Sequence, residues 1–295
     1  MSPLLMETEA LNTNSQNFDK LPLDKMAEVM CSENFVAVSA VQKAKKEIIK
    51  AVKLVEETYN TNGKIIFMGA GTSGRLGILE AAECPPTFST PKNLFTALIA
   101  GGNKAVFESV EGAEDNAAQG AKDFLKISRK KDLLIAIASS GTTPYVLSAL
   151  SAAKKHGNKT VFISSNKTAK KAGATVTIYL NTGAEVISGS TRLKAGTAQK
   201  LVLNMLTTMT MARIGKIYKN YMVDLQAKNE KLKNRAIRLI TLAANINFEK
   251  AKKYAVKTNF NVKEAVVMAK LKVNRKRAKE ILKKQKGSLR GALHE

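Results

Sequence analysis

The sequence predicts a three-layer αβα sandwich, doubly wound around a five-stranded parallel sheet, with helices before it and a small helical domain after it. Three observations carry this expectation: five short apolar runs bounded by turn residues, helix-like stretches between them, and Gly/Ser/Thr turns directly after the first and third runs. At 295 residues and 44% hydrophobic content the chain has material for one large core and a small appendage. The expected divisions are an N-terminal helical segment over 1–60, the sandwich over 61–225 and a C-terminal helical region over 226–295 containing a small three-helix module.

In order along the chain, Met26 to Tyr59 has helical spacing, with Val41, Ile48, Ile49, Val52, Leu54 and Val55 three or four residues apart, and Asn60 to Gly63 stops the pattern. The apolar run Lys64 to Met68 is the first strand, followed by a turn and a helix over Arg75 to Ala82. Leu94 to Ile99 is the second strand, closing on Gly101 and Gly102, and Phe107 to Leu125 is helical at least in its second half. Leu133 to Ala138 is the clearest buried strand and leads through a Ser/Thr turn into a helix over Tyr145 to Lys155. Thr160 to Ile163 and Val176 to Leu180 complete the sheet. Gly189 to Tyr218 is a long helix, apolar on most sides and therefore buried. Beyond Asp224, Asn247, Asn261 and Asn274 are candidate N-caps of three short helices, and Asn261 with Glu264 has capping-box spacing.

Composition removes several classes of function. The opening stretch from Met1 to Glu9 has no basic and apolar leader, and no apolar run is long enough to cross a bilayer, so a cytoplasmic protein is expected. Cys31 and Cys84 are too few for a disulfide framework or a Cys-rich metal site, and His156 and His294 have no metal or triad partner at useful spacing. The net charge is +24, but from Tyr221 onward 20 of the 48 basic and 6 of the 24 acidic residues leave a surplus of 14 in the last quarter. With only Phe248, Phe260, Tyr221 and Tyr254 there to stack on bases, a solvated lysine-rich face is favoured over nucleic-acid binding.

The chemistry gathers in two turns and two acidic side chains. Gly69-Ala70-Gly71-Thr72-Ser73-Gly74 follows a strand and opens a helix, bringing N–H groups and the positive helix end to a phosphate. The next strand ends Leu98-Ile99-Ala100 with no acidic residue to hold a ribose, which favours a sugar phosphate over a dinucleotide. Ser139-Ser140-Gly141-Thr142-Thr143 offers hydroxyl donors at another strand end, so that Gly71, Thr72, Ser73, Ser139, Ser140 and Thr143 form a candidate phosphate grip; N-capping by Ser140 or Thr143 is the competing structural role. Glu83 precedes Pro85 and Pro86, which are expected to halt its helix, and Glu114 lies in an acidic turn near the start of the following helix, where simple solvation is the competing role.

Six stretches resemble the N-acetylmuramic acid 6-phosphate etherases, members of the sugar isomerase (SIS) superfamily: MGAGTSGRLGILE (68–80), AECPPTF (82–88), VEGAED (110–115), SGTTPYV (140–146), GSTRLKAGTAQKLVLNML (189–206) and MVD (222–224). The likeness runs from about Thr8 through the tail, though the family often carries Arg where this chain has Thr142, and the tail here is richer in Lys. The resemblance implies a SIS-type fold and a carbon–oxygen lyase that converts N-acetylmuramic acid 6-phosphate to N-acetylglucosamine 6-phosphate and D-lactate by elimination and water addition. It implies no metal and no organic cofactor, a homodimer with sites near the subunit boundary, Glu83 and Glu114 as the acid–base pair, and a phosphate held by Thr72, Ser73, Ser140 and Thr143. The chemistry needs two differently tuned carboxyls, with Glu83 expected to be the buried acid and Glu114 the ionised base. A non-catalytic sugar-phosphate sensor on the same scaffold would keep the hydroxyl turns and not require the carboxylates.

Overall fold

A computed structural model describes residues 6–294; Met1 to Leu5, the first part of the opening stretch read above, lie outside the described residues. The described residues pack as two units, one formed by residues 6–81 and 93–207, the other by residues 82–92 and 208–294.

In the first unit, α1 (Leu23–Lys43) and α2 (Lys45–Asn60) precede β1 (Ile65–Gly69). The helix α3 (Gly71–Phe88) begins here and ends in the second unit. Then come β2 (Phe95–Ile99), α4 (Lys104–Phe107), α5 (Ala117–Ile127), β3 (Leu133–Ile137), α6 (Pro144–His156), β4 (Lys159–Ser164), β5 (Val176–Tyr179) and α7 (Lys194–Arg213), which from Thr208 onward belongs to the second unit. All five strands are parallel, in the order β2-β1-β3-β4-β5. β1 and β3 are buried at every position, as apolar runs covered on both faces must be. Ile66, Met68, Leu134, Ala136 and Phe162 share a core with Tyr145, Val146, Ala149 and Leu150 of α6 and with Phe124 of α5. Each fully buried side chain of this size contributes roughly 1.5–3 kcal/mol. On the alternate face Phe67 meets α3, where a Cβ on Gly77 would lie 2.9 Å from the Phe67 Cβ. The sheet and its two helical layers are thus the expected sandwich.

Strand order fixes where a ligand belongs. The chain leaves β1 toward β2 and then crosses back to β3, so β1 and β3 are the neighbours at which the winding reverses, and a crevice opens beyond their carboxyl ends.

Two helix boundaries differ from expectation. Pro85 and Pro86 do not halt α3, which continues to Phe88. The two missing N–H donors cost only bonds of the last turn, and that turn is held by burial of Cys84 and Phe88, one helical turn apart. The long apolar helix starts at Lys194 rather than Gly189, because residues 189–193 form a turn with Gly189 at φ 75° and the Thr191 N–H bonded to the Gly189 carbonyl. It stops at Arg213, ahead of Gly215 at φ 79°.

The second unit contains α8 (Glu230–Ala244), α9 (Phe248–Lys257), α10 (Val262–Leu271), α11 (Arg275–Lys284) and α12 (Leu289–Ala292). Asn229, Asn247, Asn261 and Asn274 each cap a helix by accepting an N–H three residues on. Its core is largely alanine and β-branched, with Ala236, Ile240, Ala251, Ala265, Val266 and Ala278 fully buried. Lys263 lies within it, its ammonium donating to Asp224 (2.7 Å) and to the Gly215 and Gly287 carbonyls (2.8 and 2.7 Å), which uses all three donors. Burial pulls its pKa below the usual lysine value, against the opposing pull of Asp224. No helix among the described residues is long and apolar enough to cross a membrane.

Candidate functional site

The first turn of the site exists because two glycines let a strand and a helix touch. A Cβ on Gly69 would stand 2.7 Å from the Gly74 nitrogen, and one on Gly74 would stand 2.9 Å from the Gly69 carbonyl. This contact lets α3 start two residues after β1. The first helical bond is Gly74 N–H to the Ala70 carbonyl at 3.2 Å, so the N–H groups of Gly71, Thr72 and Ser73 precede the intrahelical ladder at the positive end of α3.

The second turn follows β3. The Ser139 carbonyl accepts from Ser165 N–H (3.0 Å), Ser164 Oγ (3.1 Å) and Asn166 Nδ2 (2.9 Å), which pins the turn to β4 and the loop after it. Ser140 Oγ accepts from the Thr142 N–H (3.2 Å) and lies 3.4 Å from Thr143 Oγ1. Thr143 precedes α6 without a side-chain capping bond, and Pro144 fills the first helical position, so the Thr143 hydroxyl does not N-cap α6, whereas Ser140 bonds locally within the turn.

Gln199 of α7, fully buried, joins the two turns. Ser73 Oγ donates to its Oε1 at 2.9 Å, and its Nε2 donates to Ser139 Oγ at 2.8 Å. With the amide oriented this way the Ser139 hydroxyl keeps its proton for a ligand, whereas the Ser73 proton is engaged and Ser73 offers its main-chain N–H instead.

Both turns face one cleft of about 360 Å³. Its wall includes Gly71, Thr72, Ser73, Ser139, Ser140, Thr142 and Thr143, with Glu114 and Asp115 from the 3-10 turn Ala113–Asp115, Glu9 from the segment before α1, and Gly189 and Thr191 from the turn before α7. Among the described residues the wall contains no Lys or Arg. An anion there is met by hydroxyls, free N–H groups and the starts of α3 and α6, a grip suited to phosphate. An adjoining hollow of about 260 Å³ shares Gly71, Glu114 and Asp115. Beside it Arg75 donates to the Val106 (3.0 Å) and Glu108 (3.0 Å) carbonyls and holds the acidic loop to α3.

Of the residues singled out from sequence, Gly71, Thr72, Ser73, Ser139, Ser140, Thr143 and Glu114 come together in this cleft. Glu83 does not line it. That residue lies on α3 five residues before the helix ends at Phe88, among residues that pack with the second unit, and it is exposed rather than buried as expected. The burial argument fails because the helix runs on past Glu83 and turns Cys84 and Phe88 inward, leaving the glutamate on an outer face. Sequence reasoning assigned no chemistry to Gln199, Glu9, Thr191 or Gly189, although Gln199, Thr191 and Gly189 fall within the stretch GSTRLKAGTAQKLVLNML. His156 ends α6, with Nδ1 2.9 Å from Asn158 Oδ1, in keeping with a helix-end role.

Comparison with known proteins gives the fold and the family. Residues 47–154 match the model of the glucokinase regulatory protein N-terminal SIS domain, and residues 113–209 match the SIS domain. Among solved structures, a phosphoheptose isomerase from Francisella tularensis superposes with a TM-score of 0.51 at 17% identity, over 64% of this chain and 98% of that one, a likeness of fold. An N-acetylmuramic acid 6-phosphate etherase from Bacillus cytotoxicus is 46% identical over 290 residues, covering 98% of this chain and 99% of its own. One from a Geobacillus species is also 46% identical over 290 residues, covering 98% of each. At that identity over nearly the full length of both proteins, the chain belongs to the N-acetylmuramic acid 6-phosphate etherase family, on a SIS-type fold.

Proposed function

We propose that the protein hydrolyses the D-lactyl ether of N-acetylmuramic acid 6-phosphate, releasing N-acetylglucosamine 6-phosphate and D-lactate. The observation that carries this reading is the meeting of both hydroxyl-rich turns with Glu114 in one cleft at the reversal of strand order. The phosphate sits against the N–H groups of Gly71, Thr72 and Ser73 and the hydroxyls of Thr72, Ser139, Ser140 and Thr143. In the open-chain sugar the C2 proton is acidified by the adjacent aldehyde. Glu114 removes it, the C3–O bond breaks, and the ether oxygen leaves with lactate after protonation by Glu83. Water then adds at C3 and a proton returns to C2, so that substrate plus water balances the two products. Neither step calls on a cofactor.

Glu83 is open to solvent in the single chain, and we assign it to a site completed in a homodimer. The exposed apolar side chains Phe35 (73%) and Val38 (50%) on α1 support pairing of two copies. Sedimentation at micromolar concentration is expected to give a dimer, and a monomer that turns over at full rate contradicts the assignment. Cys31 and Cys84 form no disulfide among the described residues, which fits a reducing, cytoplasmic setting. The acid–base roles are tested by Glu83→Gln and Glu114→Gln, each expected to lower kcat about a hundredfold or more with KM little changed. Near-normal kcat in either variant removes that residue from the mechanism.

A further inference from the structure

The segment before α1 carries an unassigned carboxylate into the cleft, and it is anchored on both sides. Upstream, Thr8 is fully buried, its N–H donating to Asn166 Oδ1 (3.4 Å), while Asn166 Nδ2 donates to Thr8 Oγ1 (3.0 Å) and to the Ser139 carbonyl (2.9 Å). Glu7 accepts from the Tyr179 hydroxyl at 3.2 Å. Downstream, Asn12 donates to Glu33 (2.6 Å) and to the Ala184 carbonyl (3.2 Å), and Ser15 donates to the Val186 carbonyl (2.8 Å). Glu9 lies between these anchors and lines the cleft. Gly189 makes room for it, since a Cβ there would lie 3.1 Å from Glu9 Oε2. Glu9 has no side-chain hydrogen bond or ion pair among the described residues, whereas its neighbour Glu7 and the nearby Glu33 are both engaged.

A carboxylate only accepts hydrogen bonds and repels phosphate, so Glu9 is of no use to the phosphate end of a ligand. It suits a hydroxyl or an amide N–H. We propose that Glu9 is a specificity-determining residue that accepts a hydrogen bond from a hydroxyl or amide N–H of the bound sugar phosphate, at the end away from the phosphate. The strap from Met6 to Gln16 is what presents it. This inference rests on reading the cleft as a sugar-phosphate site.

The test is calorimetric titration of the full chain with N-acetylglucosamine 6-phosphate and, separately, with inorganic phosphate, for the unaltered protein, Glu9→Ala and the isosteric Glu9→Gln. Glu9→Ala is expected to weaken the sugar phosphate about tenfold or more, the loss typical of one hydrogen bond to a charged group, and Glu9→Gln to weaken it less. Inorganic phosphate is expected to bind the variants as well as or better than the unaltered protein. Sugar-phosphate affinity within twofold of the unaltered protein in both variants overturns the inference, and so does an equal loss for both ligands, which would mark the strap as structural only. If the unaltered protein binds neither ligand, the sugar-phosphate reading itself fails, an outcome distinct from a Glu9 without effect.

Discussion

Ser73 and Ser139 are 66 positions apart in sequence, and a single amide holds both. Gln199 is fully buried, with one bond to each hydroxyl, so its loss leaves two buried polar groups unpaired. Gln199→Leu is expected to cost roughly 2–6 kcal/mol of stability, at about 1–3 kcal/mol for each unsatisfied group, and to raise KM for the sugar phosphate. Gln199→Glu keeps the shape but accepts from both serines and brings negative charge to the phosphate grip, so KM rises at smaller cost to folding. Denaturant midpoints and KM values for the two variants check this, and unchanged KM in both refutes a role in the grip. The hydroxyl residues themselves were legible in the sequence because Gly, Ser and Thr crowd the ends of two apolar runs. Gln199 was not: one glutamine in a helix resembles a surface position until the fold brings its partners, 60 and 126 residues away, against it.

Elements were legible in proportion to how local their causes are. The five strands fall where the apolar runs lie, within a residue or two at each end, and the asparagine caps of α9, α10 and α11 are where the sequence places them, because a cap depends on the next three residues. The end of α3 depends instead on what Cys84 and Phe88 are buried against, which no local pattern records. The pair Lys194–Glu33, joining α7 to α1 with both side chains under 5% exposed, is likewise a long-range feature. Burial raises the Glu33 pKa, but hydrogen bonds from Asn14, Lys194 and Asn12 and the Lys194 charge outweigh it, and the net value lies below the ordinary 4.5. A depressed carboxylate contributes stability that is present above the unfolded-state value and disappears as pH falls through the folded-state one. The stability gap between the unaltered protein and Glu33→Gln is therefore expected to be wide at pH 7 and to close in acid below about pH 4. Lys194→Met, which strands Glu33 in the interior, is expected to cost about 3 kcal/mol at pH 7. A gap that stays constant from pH 7 to pH 3 contradicts the ion-pair account.

At the scale of the whole molecule, charge and chemistry are separated along the chain. The surplus of 14 positive charges lies beyond Tyr221, in the segment that forms the helices of the second unit, while the wall of the cleft in the first unit has no Lys or Arg among the described residues. The net charge of +24 alone would suggest a polyanion as partner; the cleft read here as a sugar-phosphate site is instead lined by hydroxyl and acidic residues. Fold class was legible from the alternation of strands and helices. The segment before α1 was not recognised as part of the cleft, since nothing in its composition shows that Thr8 and Asn166 meet across 158 residues. What ties the two scales together is the carbon–oxygen bond said to break. Incubated with N-acetylmuramic acid 6-phosphate in water enriched in oxygen-18, the protein should release D-lactate in a one-to-one ratio with N-acetylglucosamine 6-phosphate, with the label on the sugar and none on the lactate. No lactate from well-folded protein, or label appearing in the lactate, would contradict the account.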